Sequence, residues 1–67
     1  MNESITRLIK EDEGLQEKIT KLLDFIQTDE FSDLENVMCD LLETQLVAML
    51  TYKGLISTRI NLLKLED

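Results

Sequence analysis

Apolar residues recur at spacings of three and four from the start of the chain: Ile5, Leu8, Ile9, Leu15, Ile19, Leu22, Phe25 and Ile26. A helix turns once every ~3.6 residues, so this spacing gathers them on one face and predicts a helix over about residues 4–26. Written as heptads, the seam reads Ile5, Leu8, Asp12, Leu15, Ile19, Leu22 and Ile26, with Asp12 its single polar member. The period breaks over Gln27 to Phe31. Ser32-Asp33-Leu34-Glu35 then has the form of a capping box, a serine followed three residues later by glutamate. This places the connection at about 27–32 and starts a second helix at about 33.

The second helix is expected to run to about Leu63, and its apolar set is wider than one seam. Met38, Leu41, Gln45, Ala48, Tyr52, Leu55, Arg59 and Leu62 form one stripe, and Leu42, Leu46, Met49, Lys53, Ile56, Ile60 and Leu63 form an adjacent one. A single partner helix covers only one of them. The predicted architecture is therefore all-α, an antiparallel hairpin of two long helices forming one domain over residues 1–67. Its uncovered stripe is expected to be met by other copies in a helical homo-oligomer. The absence of proline and the isolation of Gly14 and Gly54 inside periodic segments agree with long helices rather than sheet. No internal repeat, low-complexity tract or second domain is visible.

Counting strengthens the case for self-association. A domain of 67 residues buries only about 60% of the surface its unfolded chain exposes. Such domains usually add disulfides, a structural metal or oligomerisation. Cys39 is the only cysteine and there is no histidine, so an intrachain disulfide and a His-based metal site are both excluded. No cofactor is expected. The lone cysteine and the polar, acidic start Met1-Asn2-Glu3-Ser4 predict a reducing, intracellular setting without an export signal. The longest apolar run, Leu46 to Leu50, is too short to span a bilayer. The net charge of -7 opposes nonspecific attachment to DNA or to an anionic membrane, since both depend on summed positive charge. An anionic partner must be met by a local basic site.

Catalysis has little to draw on. Without histidine, a nucleophile would be Cys39 or a hydroxyl with no evident base beside it. Cys39 reads as a small buried hydrophobe, and the 14 carboxylates read as a solvated face. The chain is not expected to be an enzyme.

The few cations are more informative. Arg7, Lys10, Lys18 and Lys21 align on one side of the first helix, with Gly14 among them. That face is either a surface with local pairs, Glu3 with Arg7 and Glu17 with Lys21, or a place where a ligand or another backbone approaches the glycine. Arg59 shares its stripe with Tyr52. It either snorkels near the helix end or converges with other copies to bind an anion. Thr20 either bonds its own backbone or, with Lys18, completes a donor set for a phosphate or a base edge.

Three stretches carry a family resemblance: Lys18 to Ile26 with Phe31 after the break, Leu41 to Tyr52, and Thr58-Arg59-Ile60. Together they resemble the phage anti-CBASS sponge proteins of type 2, over about residues 5–62. The resemblance implies a homohexamer of helical protomers in the cytoplasm of an infected bacterial host, sequestering cyclic oligonucleotide immune signals without catalysis. It implies ligand contacts from Lys18, Thr20 and Arg59, the lysine in a cyclic dinucleotide pocket and the threonine and arginine in a cyclic trinucleotide pocket. In the family an aromatic from the amino terminus stacks on a base of the dinucleotide; Glu3 stands there in this chain, which favours the trinucleotide. Tyr52 is expected to be core by its heptad position. Two other readings fit the composition: an adaptor like the small plasmid RNA-binding regulators, holding RNA or a host protein on its basic stripe, and an inhibitor whose acidic surface mimics nucleic acid.

Overall fold

A computed structural model describes residues 3–66. They form α1 (Glu3–Ile26), α2 (Asp29–Ser32) and α3 (Asn36–Leu65), with no strand among the described residues. The seam of α1 becomes the inner face of a hairpin. Ile5, Leu8 and Ile19 are buried there, while Asp12, Leu15, Leu22 and Ile26 are half-buried. Of the two stripes on α3, the one running from Leu42 to Leu63 turns toward α1. Ile56 is fully buried, Ile60 nearly so, and Leu8, Ile56 and Ile60 form the centre of the core with Ile9, Leu15 and Leu63 packed around them.

The stripe from Met38 to Leu62 stays outside. Leu41, Leu55 and Leu62 each leave close to 60% of their surface accessible, at 59%, 59% and 58%. The molecule is accordingly a rod of 50 × 15 × 13 Å with a radius of gyration of 15.3 Å, where a compact domain of this length would have about 11 Å. Its accessible surface is 5170 Å², against about 4,400 Å² for a compact protein of the same mass.

Each inner seam carries one charged residue, and the two meet. Lys53 Nζ donates to Asp12 Oδ1 at 2.8 Å, with the two side chains 26% and 25% exposed. An ion pair held between apolar neighbours contributes little net stability, but breaking it leaves a poorly hydrated charge. A single polar layer of this kind fixes the level at which two helices pair. Since Asp12 faces Lys53 and the Tyr52 hydroxyl reaches Glu11, each position of α1 lies level with a position of α3 such that the two numbers sum to roughly 65.

The connection differs from its sequence reading. Ser32 does not cap the long helix; it closes α2, a single turn within the expected connection. Thr28 caps that turn, its Oγ1 accepting the Phe31 N–H at 3.2 Å. The physical reason is Phe31, which is buried and packs edge-on against Phe25, with ring centroids 6.0 Å apart at 84°. Turning the chain inward there uses residues 29–32, so α3 starts at Asn36 rather than near 33. Its N-cap, Glu35, makes no side-chain capping bond. Cys39, half-buried, ties the start of α3 to this turn by donating its S–H to the Phe31 carbonyl at 3.3 Å.

Asp12→Ala is expected to lower stability by about 1–3 kcal/mol, the cost of leaving Lys53 partly buried and unpaired. The double variant Asp12→Leu with Lys53→Met is expected to recover that loss or exceed wild type. Thermal melts of the three proteins check this; a single variant as stable as wild type would remove the pair from its register role.

Candidate functional site

Lys18, Thr20 and Arg59 are all exposed, the first two on α1 and the third on α3. The hairpin does not bring them together. Level matching sets Thr20 beside roughly residue 45 of α3, about 21 Å along the axis from Arg59, and sets Lys18 beside roughly residue 47, about 18 Å away. Thr20 Oγ1 accepts a bond from Gln16 Nε2 at 3.1 Å. Among the described residues Lys18 forms no ion pair or hydrogen bond, and Arg59 forms no ion pair.

Arg59 stands on the wall of an open groove of about 540 Å³ between the start of α1 and the end of α3. Ser4, Arg7, Leu8 and Glu11 line it from α1, and Leu62 and Leu63 join Arg59 from α3. The groove is thus lined by three leucines, two guanidinium groups, one hydroxyl and one carboxylate. Arg7 Nη2 donates to Glu3 Oε1 at 2.8 Å in an exposed pair one turn apart. Such a pair is weak in water, so Arg7 is readily redirected toward an anion. Glu17 and Lys21 form no such pair among the described residues. Gly14 is exposed, and a Cβ placed on it would meet nothing within 4 Å.

Tyr52 departs from expectation. It is 43% exposed rather than core, and its hydroxyl donates to Glu11 Oε2 across the hairpin. The hydrogen bond to Glu11 is the main cause that raises its pKa above the usual value, with Arg59 pulling the other way. Arg59 therefore sits within electrostatic reach of both the ring and the groove.

The periodicity that identified Arg59 gave no sign of Arg7, Ser4 or Glu11. They become its neighbours only through the level at which the two helices pair, and the one signal available was the complementary charge of Asp12 and Lys53 on facing seams.

The family model described as Sequestin matches residues 2–62. No curated protein and no solved structure shows a significant match. The family's name agrees with the resemblance to sequestering sponge proteins.

The chain has one tyrosine and no tryptophan, so ultraviolet titration reads Tyr52 alone. Because the folded pKa is raised, the Tyr52–Glu11 bond contributes stability in full below the unfolded value of about 10 and loses it as pH rises through the folded value. Glu11→Ala is expected to move the titration midpoint down toward that ordinary value; an unchanged midpoint would show that Glu11 is not the cause.

Proposed function

The chain belongs to the Sequestin family, and from that premise we propose that it is a non-enzymatic phage counter-defence sponge, sequestering a cyclic oligonucleotide immune signal at interfaces between subunits. A cyclic trinucleotide is the favoured ligand and a cyclic dinucleotide the second. The observation that carries this reading is the family match over residues 2–62.

The placement of the candidate residues agrees with it. Arg59 is a cation without an ion pair among the described residues, on the wall of a groove whose leucines suit a base and whose guanidinium groups suit a phosphate. Thr20 stands too far away in the same chain to share that ligand, so a site using both is completed by another copy. This is why the proposed site lies between subunits, in a homo-oligomer that the resemblance makes a hexamer. Glu3 is engaged by Arg7, and a carboxylate offers no stacking face for a base, which leaves the dinucleotide site the weaker of the two.

Sequestration requires binding and nothing else, which suits a chain without histidine and with no group of metal-ligating side chains among the described residues. The exposed Lys10, Lys18 and Lys21 face of α1 supports a second reading, an adaptor that holds RNA or a host protein there. RNA binding through that face would weaken steeply with salt.

Ligand that binds only the folded assembly stabilises it by mass action, by about 2.7 kcal/mol at a hundredfold excess over Kd. A cyclic trinucleotide is therefore expected to raise the melting temperature by several degrees and to be recovered chemically intact after heat denaturation. Arg59→Ala is expected to lose the shift while keeping its own unliganded melting temperature. No shift from any cyclic di- or trinucleotide, or recovery of a cleaved product, contradicts the proposal.

A further inference from the structure

The exposed side of α3 has an order of its own. Leu41, Ala48, Leu55 and Leu62 recur every seven residues, and Thr44, Thr51 and Thr58 stand three residues after the first three of them, with Leu65 continuing the series. All are exposed. This is a second strict alternation of three and four, 3.5 heptads long, on the opposite side of the helix from the seam that meets α1.

The three threonines are prepared for burial. Each hydroxyl donates to the carbonyl one turn back: Thr44 to Asp40 at 2.8 Å, Thr51 to Val47 at 3.0 Å and Thr58 to Gly54 at 3.0 Å. A polar group that already has its partner costs little to desolvate. With Ala48, these short side chains allow another helix to approach closely.

We infer that this outer seam pairs with the same seam of a second copy in an antiparallel arrangement, with the twofold axis at the level of residue 53. Two features select this occupant and this direction. First, antiparallel coiled coils layer the first position of one heptad against the fourth of the other. About that axis the seam is self-complementary, since Leu55 meets the partner's Thr51, Leu62 meets the partner's Thr44, Ala48 meets the partner's Thr58 and Leu41 meets the partner's Leu65. Leucine falls against threonine in two layers, Ala48 and Thr58 make a close short-against-short layer, and leucines close the seam at its ends.

Second, the charge of α3 is divided. Its first half carries Asp40 and Glu43 and no cation, while its second half carries no acid and, besides the Lys53 that Asp12 neutralises, Arg59 and Lys64. A parallel pair would set like charges side by side. The antiparallel pair lays the acidic half along the partner's basic half and opposes the two helix dipoles.

The inference deepens the sponge proposal and rests on its homo-oligomer, because it names one of the surfaces that hold the copies together. About the same axis Arg59 lies level with residue 47 of the partner subunit, the axial level of Lys18 and Thr20 of the partner subunit, whose α1 packs on the far face of its α3. The residues that one chain holds apart are brought to one level by two.

Disulfide trapping on the full chain in a Cys39→Ser background tests the direction and the register. Ala48 and Thr58 lie about 15 Å apart on one helix, too far for an intrachain bond. The double variant Ala48→Cys with Thr58→Cys is expected to form a covalent dimer on mild oxidation, while each single variant stays uncrosslinked. Crosslinking of either single variant with itself would show a parallel pair, and no crosslinking of a double variant that keeps its helical circular dichroism would show that another surface covers this face; either result overturns the inference. The two proposals fail separately: a crosslinked double variant that no cyclic oligonucleotide stabilises keeps the interface and loses the sponge, and a thermal shift without crosslinking does the reverse.

Discussion

A helix with apolar residues on two sides cannot be finished by one neighbour. α3 has thirty residues and two apolar stripes, and α1 covers the one that includes Ile56 and Ile60. The other stripe keeps Leu41, Leu55 and Leu62 largely in water, and the accessible surface exceeds that of a compact protein of this mass by an amount comparable to one side of an ordinary protein interface, about 800 Å². Arg59, Tyr52 and the groove all sit on that uncovered side. The incomplete burial of α3 and the location of the candidate site are the same fact.

The half-buried pair of Asp12 and Lys53 controls what each chain can do alone. It sets the level of α1 against α3, and that level puts Arg59 beside Ser4, Arg7 and Glu11 while keeping Thr20 about four helical turns away. Hydrophobic contacts alone would tolerate a slip by one heptad, because apolar residues would again face apolar residues. A charged residue in each seam does not tolerate it, since a slipped pairing leaves both charges among hydrocarbons. On the proposed function, binding by a set that includes both Thr20 and Arg59 is therefore a property of more than one chain, and the proposed sequestration is coupled to assembly.

The sequence made the long-range plan of the hairpin legible because period and burial coincide. The heptad seam of α1 is the buried face, with Ile5, Leu8 and Ile19 at its centre, and both stripes of α3 were visible. Which stripe meets α1 was not visible from apolar content, which is nearly equal in the two; the deciding feature is that one stripe offers Lys53 level with Asp12. The short turn at α2 was hidden by a choice between two hydroxyl residues. Ser32 matched a capping pattern, but Thr28 caps a turn that buries Phe31, a tertiary demand that local spacing does not express. Tyr52 looked like core for the same reason that its stripe looked like core, and one chain leaves that stripe exposed. Lys18, Thr20 and Arg59 stood out by their positions and took ligand roles from a family resemblance, whereas Arg7 and Glu11 emerge as neighbours of Arg59 only once the two helices are placed side by side.

The central claim is that one hairpin is an incomplete unit, and the mass of the protein in solution addresses it most directly. Light scattering coupled to size exclusion, on protein free of added ligand, is expected to give two or more times the 7.8 kDa chain mass, with six chains the number the family resemblance implies. A mass equal to a single chain that persists as concentration is raised would contradict the claim.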